Sequence, residues 1–122
     1  MKKKILLIED EELMVTLLQR KLVQDGYEVS VAKNGEDGLR LMREMKPDLV
    51  LLDIIMPKKG GFEVMEEMQK DKDLKEIPVI VISNSGQPVE IDKAQKLGAS
   101  DWLIKTEFDP QEVVDKVKKQ IG

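Results

Sequence analysis

The chain has 122 residues, 36% of them charged, a formal net charge of −4, and neither cysteine nor histidine. That length suits one domain whose core needs no staples. The missing residue types exclude disulfides, thiolate chemistry, zinc–sulfur sites, catalytic triads, imidazole bases and histidine metal ligands, and the chain cannot itself carry phosphohistidine.

The sequence opens MKKKILLIEDEE. Lys2 to Lys4 read as a solvated lead-in to a first strand, Ile5–Ile8. Four apolar residues before Glu9 are too few for a signal peptide or a membrane span. A cytosolic, mildly acidic protein with no membrane and no direct nucleic-acid partner is expected, since nucleic acid needs a basic face. A helix follows in which Met14, Leu17, Leu18 and Leu22 recur at steps of three and four, closed by Asp25-Gly26. Tyr27–Ala32 (YEVSVA) alternates polar and apolar residues and reads as an edge strand. Asn34 is placed to cap a second helix whose stripe is Gly38, Leu41, Met42 and Met45, stopped at Pro47.

Leu49–Ile55 is a nearly continuous apolar run, as expected of a strand buried on both faces. Phe62, Met65 and Met68 mark a third helix, and the charged stretch Lys70–Glu76 (KDKDLKE) reads as a loop. A fourth buried strand, Val79–Ile82, leads to a helix that opens near Pro88, carries Ile91, Ala94 and Leu97, and closes at Gly98. Trp102–Ile104 is the fifth strand. Asp109-Pro110-Gln111-Glu112 supplies an N-cap, a proline at the first helical position and a capping-box Glu. The last stripe is Val113/Val114, Val117 and Ile121. Strand and helix alternate five times without linker or repeat. The prediction is one α/β domain over residues 1–122, a doubly wound parallel sheet with helices on both faces.

In LVLLDIIMP one carboxylate, Asp53, sits inside an apolar run. A charge out of water needs a cation or donors to meet it. In open parallel sheets, ligands bind outside the carboxyl ends of the strands. The residues that follow the buried runs are Glu9-Asp10, Asp53, Ser83 and Lys105. If those strands are neighbours, acids, a hydroxyl and an ammonium converge at one edge. Clustered carboxylates favour a hard divalent cation, and Mg²⁺ prefers one or two carboxylates with waters and a phosphate. Asp10 and Asp53 fit that count. Asp53 could then act as a carboxylate nucleophile, with Ser83 and Lys105 donating to the phosphoryl oxygens. Glu11 and Glu12 are read as acids favouring a helix N-terminus.

These residues carry a resemblance to a known family. The acidic pair in IED, the acceptor in LLDIIMP with Pro57 four and Gly61 eight residues on, Ser83 in VIVISNS and Lys105 in WLIK resemble the receiver domain of two-component response regulators. In extent the chain is similar to single-domain chemotaxis regulators. The resemblance implies a flavodoxin-like receiver fold with strand order 2-1-3-4-5 and Asp53 as phosphoacceptor. It also implies Mg²⁺ held by Asp10, Asp53 and the backbone carbonyl of Ile55, with Glu9 holding a coordinated water. Ser83 would be the switch hydroxyl and Lys105 the ion-pair partner of the phosphoryl group. The donor would be a phosphohistidine on a sensor kinase or phosphotransfer protein.

Three departures stand out. Trp102 occupies the position of a switch aromatic usually filled by Tyr or Phe, and strand alternation aims it at the fourth helix. Thr106 follows Lys105 where the family commonly has a proline with a cis bond; cis without proline costs roughly 3–4 kcal/mol, so a different presentation of Lys105 is expected. Ile55, two residues after the acceptor, is apolar and cannot orient an attacking water, so a long-lived acyl phosphate is expected. The functional expectation is a signalling switch that catalyses only its own phosphotransfer and slow autodephosphorylation, and is not otherwise an enzyme. The alternative is a pseudo-receiver used as a constitutive interaction module. A flavin carrier is disfavoured because EDEE would repel a flavin phosphate, and an aspartyl phosphohydrolase because Ile55 stands where a second acid belongs. The sequence given ends with the fifth helix, so output is expected by docking of the fourth helix–fifth strand–fifth helix face, unless the chain is part of a longer regulator. A monomer is expected, with dimers on that face when phosphorylated.

Overall fold

The computed structural model describes residues 2–107 and 109–122. Its elements alternate as expected: β1 (Lys4–Ile8), α1 (Glu12–Gln24), β2 (Glu28–Ala32), α2 (Gly35–Met45), β3 (Leu49–Asp53), α3 (Gly61–Gln69), β4 (Val79–Ser83), α4 (Pro88–Lys96), β5 (Asp101–Ile104) and α5 (Pro110–Ile121). All pairings are parallel and the order is β2-β1-β3-β4-β5, with β2 at one edge. The strand in LVLLDIIMP stops at Asp53, two residues earlier than the apolar run, because the chain bends at Ile54 and Ile55.

Alternation along the strands builds two cores. Leu6, Ile8, Val50, Leu52, Val79 and Val81 face α2, α3 and α4, meeting Leu39, Met42, Val64, Met65, Met68 and Ala94. Ile5, Leu7, Leu49, Leu51, Ile80, Ile82 and Leu103 face α1 and α5, meeting Val15, Leu18, Leu22, Val113, Val114 and Val117. The α1 stripe is therefore rotated from the one expected: Val15 is buried while Leu17 is 45% exposed. In α2 the buried leucine is Leu39, with Leu41 at the margin. The loop over residues 70–76 also contributes to the core, since Leu74 is buried.

The expected boundaries have local causes. Asn34 Oδ1 accepts from the Asp37 amide and Asp109 Oδ1 from the Glu112 amide, satisfying orphan donors at the starts of α2 and α5. Gly26 at φ +94° follows the end of α1, and Lys46 in the left-handed region ends α2 before Pro47. The Lys105–Thr106 bond is trans, like every peptide bond among the described residues.

One glycine shapes the site directly. A Cβ on Gly61 would lie 2.5 Å from the Asp53 carbonyl oxygen and 2.8 Å from Ile54 Cα, so α3 starts flush against the end of β3. Gly61→Ala should lower stability by about 1–3 kcal/mol through overpacking against backbone that cannot give way. Urea unfolding of the two proteins measures it, and equal midpoints would refute the close-approach account.

Candidate phosphoacceptor site

The register sets the site. Ile8 pairs with Leu52, so the residues that follow them, Glu9 and Asp53, sit side by side. Asp53 pairs with Ile82, so Ser83 lies one step beyond it. Ser83 pairs with Ile104, which carries Lys105 one step further. The same parity separates the side chains: Ile82 and Leu103 face α1 and α5, whereas Trp102 packs with the α4 core.

Lys105 Nζ approaches Glu9 Oε1 at 2.7 Å and Asp53 Oδ2 at 3.2 Å, and all three side chains are at least 94% buried. Glu9 Oε2 accepts from the amides of Asp10 at 3.0 Å and Glu11 at 3.3 Å. Burial first, and the neighbouring Asp53 second, push the Glu9 carboxyl up to about 7. Burial works against the Lys105 ammonium, but Glu9 and Asp53 outweigh it and raise its pKa above the ordinary lysine value. Asp10 is exposed. Glu9, Asp10 and Asp53 each offer an oxygen within 4.8 Å of the others, a donor set that suits a hard cation.

A cavity of about 360 Å³ opens over this cluster, lined by Asp10, Glu11, Asp53, Ile55, Ser83, Asn84 and Lys105. Ile55 is 75% exposed. Ser83 Oγ is buried and accepts from the Ser85 amide at 3.1 Å. Trp102 lies outside the cavity; its indole N–H donates to the Ser85 carbonyl at 2.9 Å. The sequence pattern did not single out Glu11 and Asn84 as lining residues, nor Ser85 as a hydrogen-bonding centre. The hydroxyl- and amide-rich SNS after a buried strand was the available signal. Glu12, read as a helix-start acid, also pairs with Lys33 at 2.5 Å.

The family model for the response regulator receiver domain matches residues 5–118. The chain is 38% identical over 118 residues to the alkaline phosphatase synthesis transcriptional regulatory protein PhoP of Bacillus subtilis (strain 168), covering 97% of this chain and 48% of PhoP. It thus spans about half the length of such curated relatives. Among solved structures it is similar to the phosphorylated cyanobacterial phytochrome response regulator RcpA, with 31% identity, a TM-score of 0.84, and coverage of 98% of this chain and 91% of the other. It is also similar to the Mn²⁺-bound form of response regulator Rcp1, with 28% identity, a TM-score of 0.81, and coverage of 96% and 90%. The chain belongs to the response regulator receiver domain family.

A pH dependence follows from Glu9. Its folded carboxyl holds a proton up to about pH 7, against 4.5 for an ordinary one, so the native state binds more protons between those values and stability falls as pH rises through them. In metal-free protein this loss should be on the order of 1–3 kcal/mol between pH 4.5 and 7.5. Urea unfolding of wild type and Glu9→Gln across that range should show the slope only in wild type; parallel curves would remove Glu9 as its source.

Proposed function

We propose that this receiver domain is a phosphorylation-activated switch of a two-component system with Asp53 as its phosphoacceptor. The observation that carries the reading is the buried Lys105 ammonium shared by Asp53 and Glu9 under a cavity open to solvent. A solely structural ion pair has no need of a third acid, Asp10, at the same mouth. In a relative, RcpA, a phosphorylated form is known. A constitutive interaction module would have no use for this cluster, and that reading finds no support.

The donor is a phosphohistidine on a sensor histidine kinase or phosphotransfer protein. An Asp53 carboxylate oxygen attacks phosphorus; a P–O bond forms, the P–N bond breaks, and the imidazole leaves with the bonding pair and takes up a proton. Lys105, already 3.2 Å from Asp53 Oδ2, is within reach of a phosphoryl oxygen there. Ser83 Oγ has a lone pair engaged by the Ser85 amide, which leaves its own proton free to donate to the phosphoryl group.

The oxygens of Glu9, Asp10 and Asp53 fit Mg²⁺: Asp10, Asp53 and the Ile55 carbonyl would hold it, and Glu9 a coordinated water. When bound, Mg²⁺ offsets charge on the transferred group. Rcp1, a relative, has a Mn²⁺-bound form. The activity is limited to self-phosphotransfer and slow autodephosphorylation. Output passes by protein contact through α4, β5 and α5, from a monomer that dimerises on that face when phosphorylated. The setting is the cytosol; among the described residues no helix is long and apolar enough to cross a membrane.

Intact-mass spectrometry after incubation with acetyl phosphate and Mg²⁺ should show one phosphoryl adduct, absent in Asp53→Asn and in the presence of EDTA. An adduct that survives Asp53→Asn overturns the assignment. Because the exposed Ile55 side chain has no polar atom with which to orient water, the isolated phosphoprotein should keep its label well beyond seconds. Ile55→Asn should shorten that lifetime about three- to tenfold, the range of one added hydrogen bond. Label lost from wild type within seconds would remove Ile55 from this role.

A further inference from the structure

We infer that Gly35, the first residue of α2, is a positioning residue for the cation site: it sets where the loop between β3 and α3 carries the Ile55 carbonyl. The inference rests on the reading of that carbonyl as a Mg²⁺ ligand and names what holds it in place. Residues 54–60 form neither helix nor strand. Their two ends are joined, since the Gly61 amide donates to the Ile54 carbonyl at 2.8 Å. In the middle, the Lys59 amide turns back to the Pro57 carbonyl at 2.8 Å, with Lys58 at φ +67°, a left-handed conformation that a β-carbon disfavours. Such a turn persists only where its surroundings hold it. The Gly35 amide does so by donating to the Lys59 carbonyl at 3.1 Å. Among the described residues it is the one backbone group from outside β3, α3 and their loop that bonds to residues 54–60.

Two features suit Gly35 to this task. The first is its missing side chain: a Cβ there would lie 2.2 Å from the Lys59 carbonyl oxygen and 2.8 Å from Lys59 Cβ. A larger residue keeps the amide but drives its acceptor away. That acceptor is backbone, so the loop moves with it. The second feature is the path through the fold. The Glu9 amide donates to the Ala32 carbonyl at 2.9 Å, and Asn34 Oδ1 holds the start of α2 by accepting from the Asp37 amide at 2.9 Å. Residues 32–35 therefore run from the acids of the site to the loop, and set the spacing between the two. A glycine needed only for helix packing is the alternative, because the same Cβ would lie 2.8 Å from Val64 Cγ2. Gly38 supplies the comparison. It lies on the same helix, and its Cβ would lie 2.5 Å from Ile8 Cδ1, a side-chain end in the core and not in the loop.

Wild type, Gly35→Ala, Gly38→Ala and Asn34→Ala are compared by calorimetric titration with Mg²⁺. In metal-free protein they are compared by the rate at which a lysine-specific protease cuts after Lys58 and Lys59, with urea midpoints alongside. Gly35→Ala should weaken Mg²⁺ binding about three- to tenfold, the equivalent of one hydrogen bond, and speed cleavage by a similar factor. Gly38→Ala should lower the urea midpoint and leave both other readouts near wild type. Asn34→Ala loosens the start of α2 without adding an atom at position 35. It should move both readouts in the same direction as Gly35→Ala, by less, and it carries the test if Gly35→Ala does not fold. Wild-type Mg²⁺ affinity in these two variants, or an equal loss in Gly38→Ala, overturns the role. If wild type itself takes up no Mg²⁺, the metal reading fails, and the cleavage rates still decide whether Gly35 holds the loop; unchanged cleavage then overturns that as well.

Discussion

The Lys105 ammonium lies between two buried carboxylates, 2.7 Å from Glu9 and 3.2 Å from Asp53, and the chemistry of this edge depends on how it gets there. β5 is separated from β3 by β4, so the lysine must cross about 10 Å, two strand spacings, to meet Asp53. It does so over the end of β4, where its amide is hydrogen-bonded to the Ser83 carbonyl at 2.7 Å. A small side chain at Ser83, turned to the opposite face by strand parity, leaves that path open. Removing the ammonium would leave two unpaired carboxylates out of water, a more costly state than losing the pair together.

The same arrangement explains why the cluster is unfinished. Three acids meet one base, and Glu9 answers the excess by holding its proton to about pH 7. A divalent cation would relieve that excess without a proton, and a phosphoryl group on Asp53 would restore it in a form that Lys105 can meet. On the proposed reading, Mg²⁺ and a phosphoryl group would be complementary occupants of a site whose charge does not balance alone.

Much of this was legible because an acid or a lysine directly after a buried apolar run has few places to go in a parallel sheet. Glu9, Asp53, Ser83 and Lys105 declared themselves that way, and caps such as Asn34 and Asp109 marked the helices. Helix rotation was less legible: steps of three and four through α1 fit both Leu17 and Val15, and packing on the sheet chose Val15. Leu74 was hidden in a charged stretch because one leucine has no period. The Glu9–Lys105 pair was missed because the residues are ninety-six positions apart and the lysine was assigned wholly to a phosphoryl group. Ser85 was the least visible, since two of its four hydrogen bonds run through backbone atoms that any residue possesses.

What surrounds the site differs sharply in how firmly it is held. α5 buries Val113, Val114 and Val117, and α1 buries Val15, Leu18 and Leu22. α4 buries only Ala94. Its other ties are polar or at its ends: Ser85 to Glu90, Lys93 over the Phe62 ring at 4.5 Å, and Gln69 donating to the Leu97 carbonyl at 2.7 Å. A groove of about 320 Å³ lies between it and β5, lined in part by Trp102 and Ile104. Apolar burial sets most of a helix's resistance to displacement, whereas exposed polar ties can be exchanged for water at small net cost. The helix nearest Ser83 and Trp102 is thus the one that costs least to shift. α4 is the loosely held helix beside Trp102, while α1 and α5 pack firmly on the other face of the sheet.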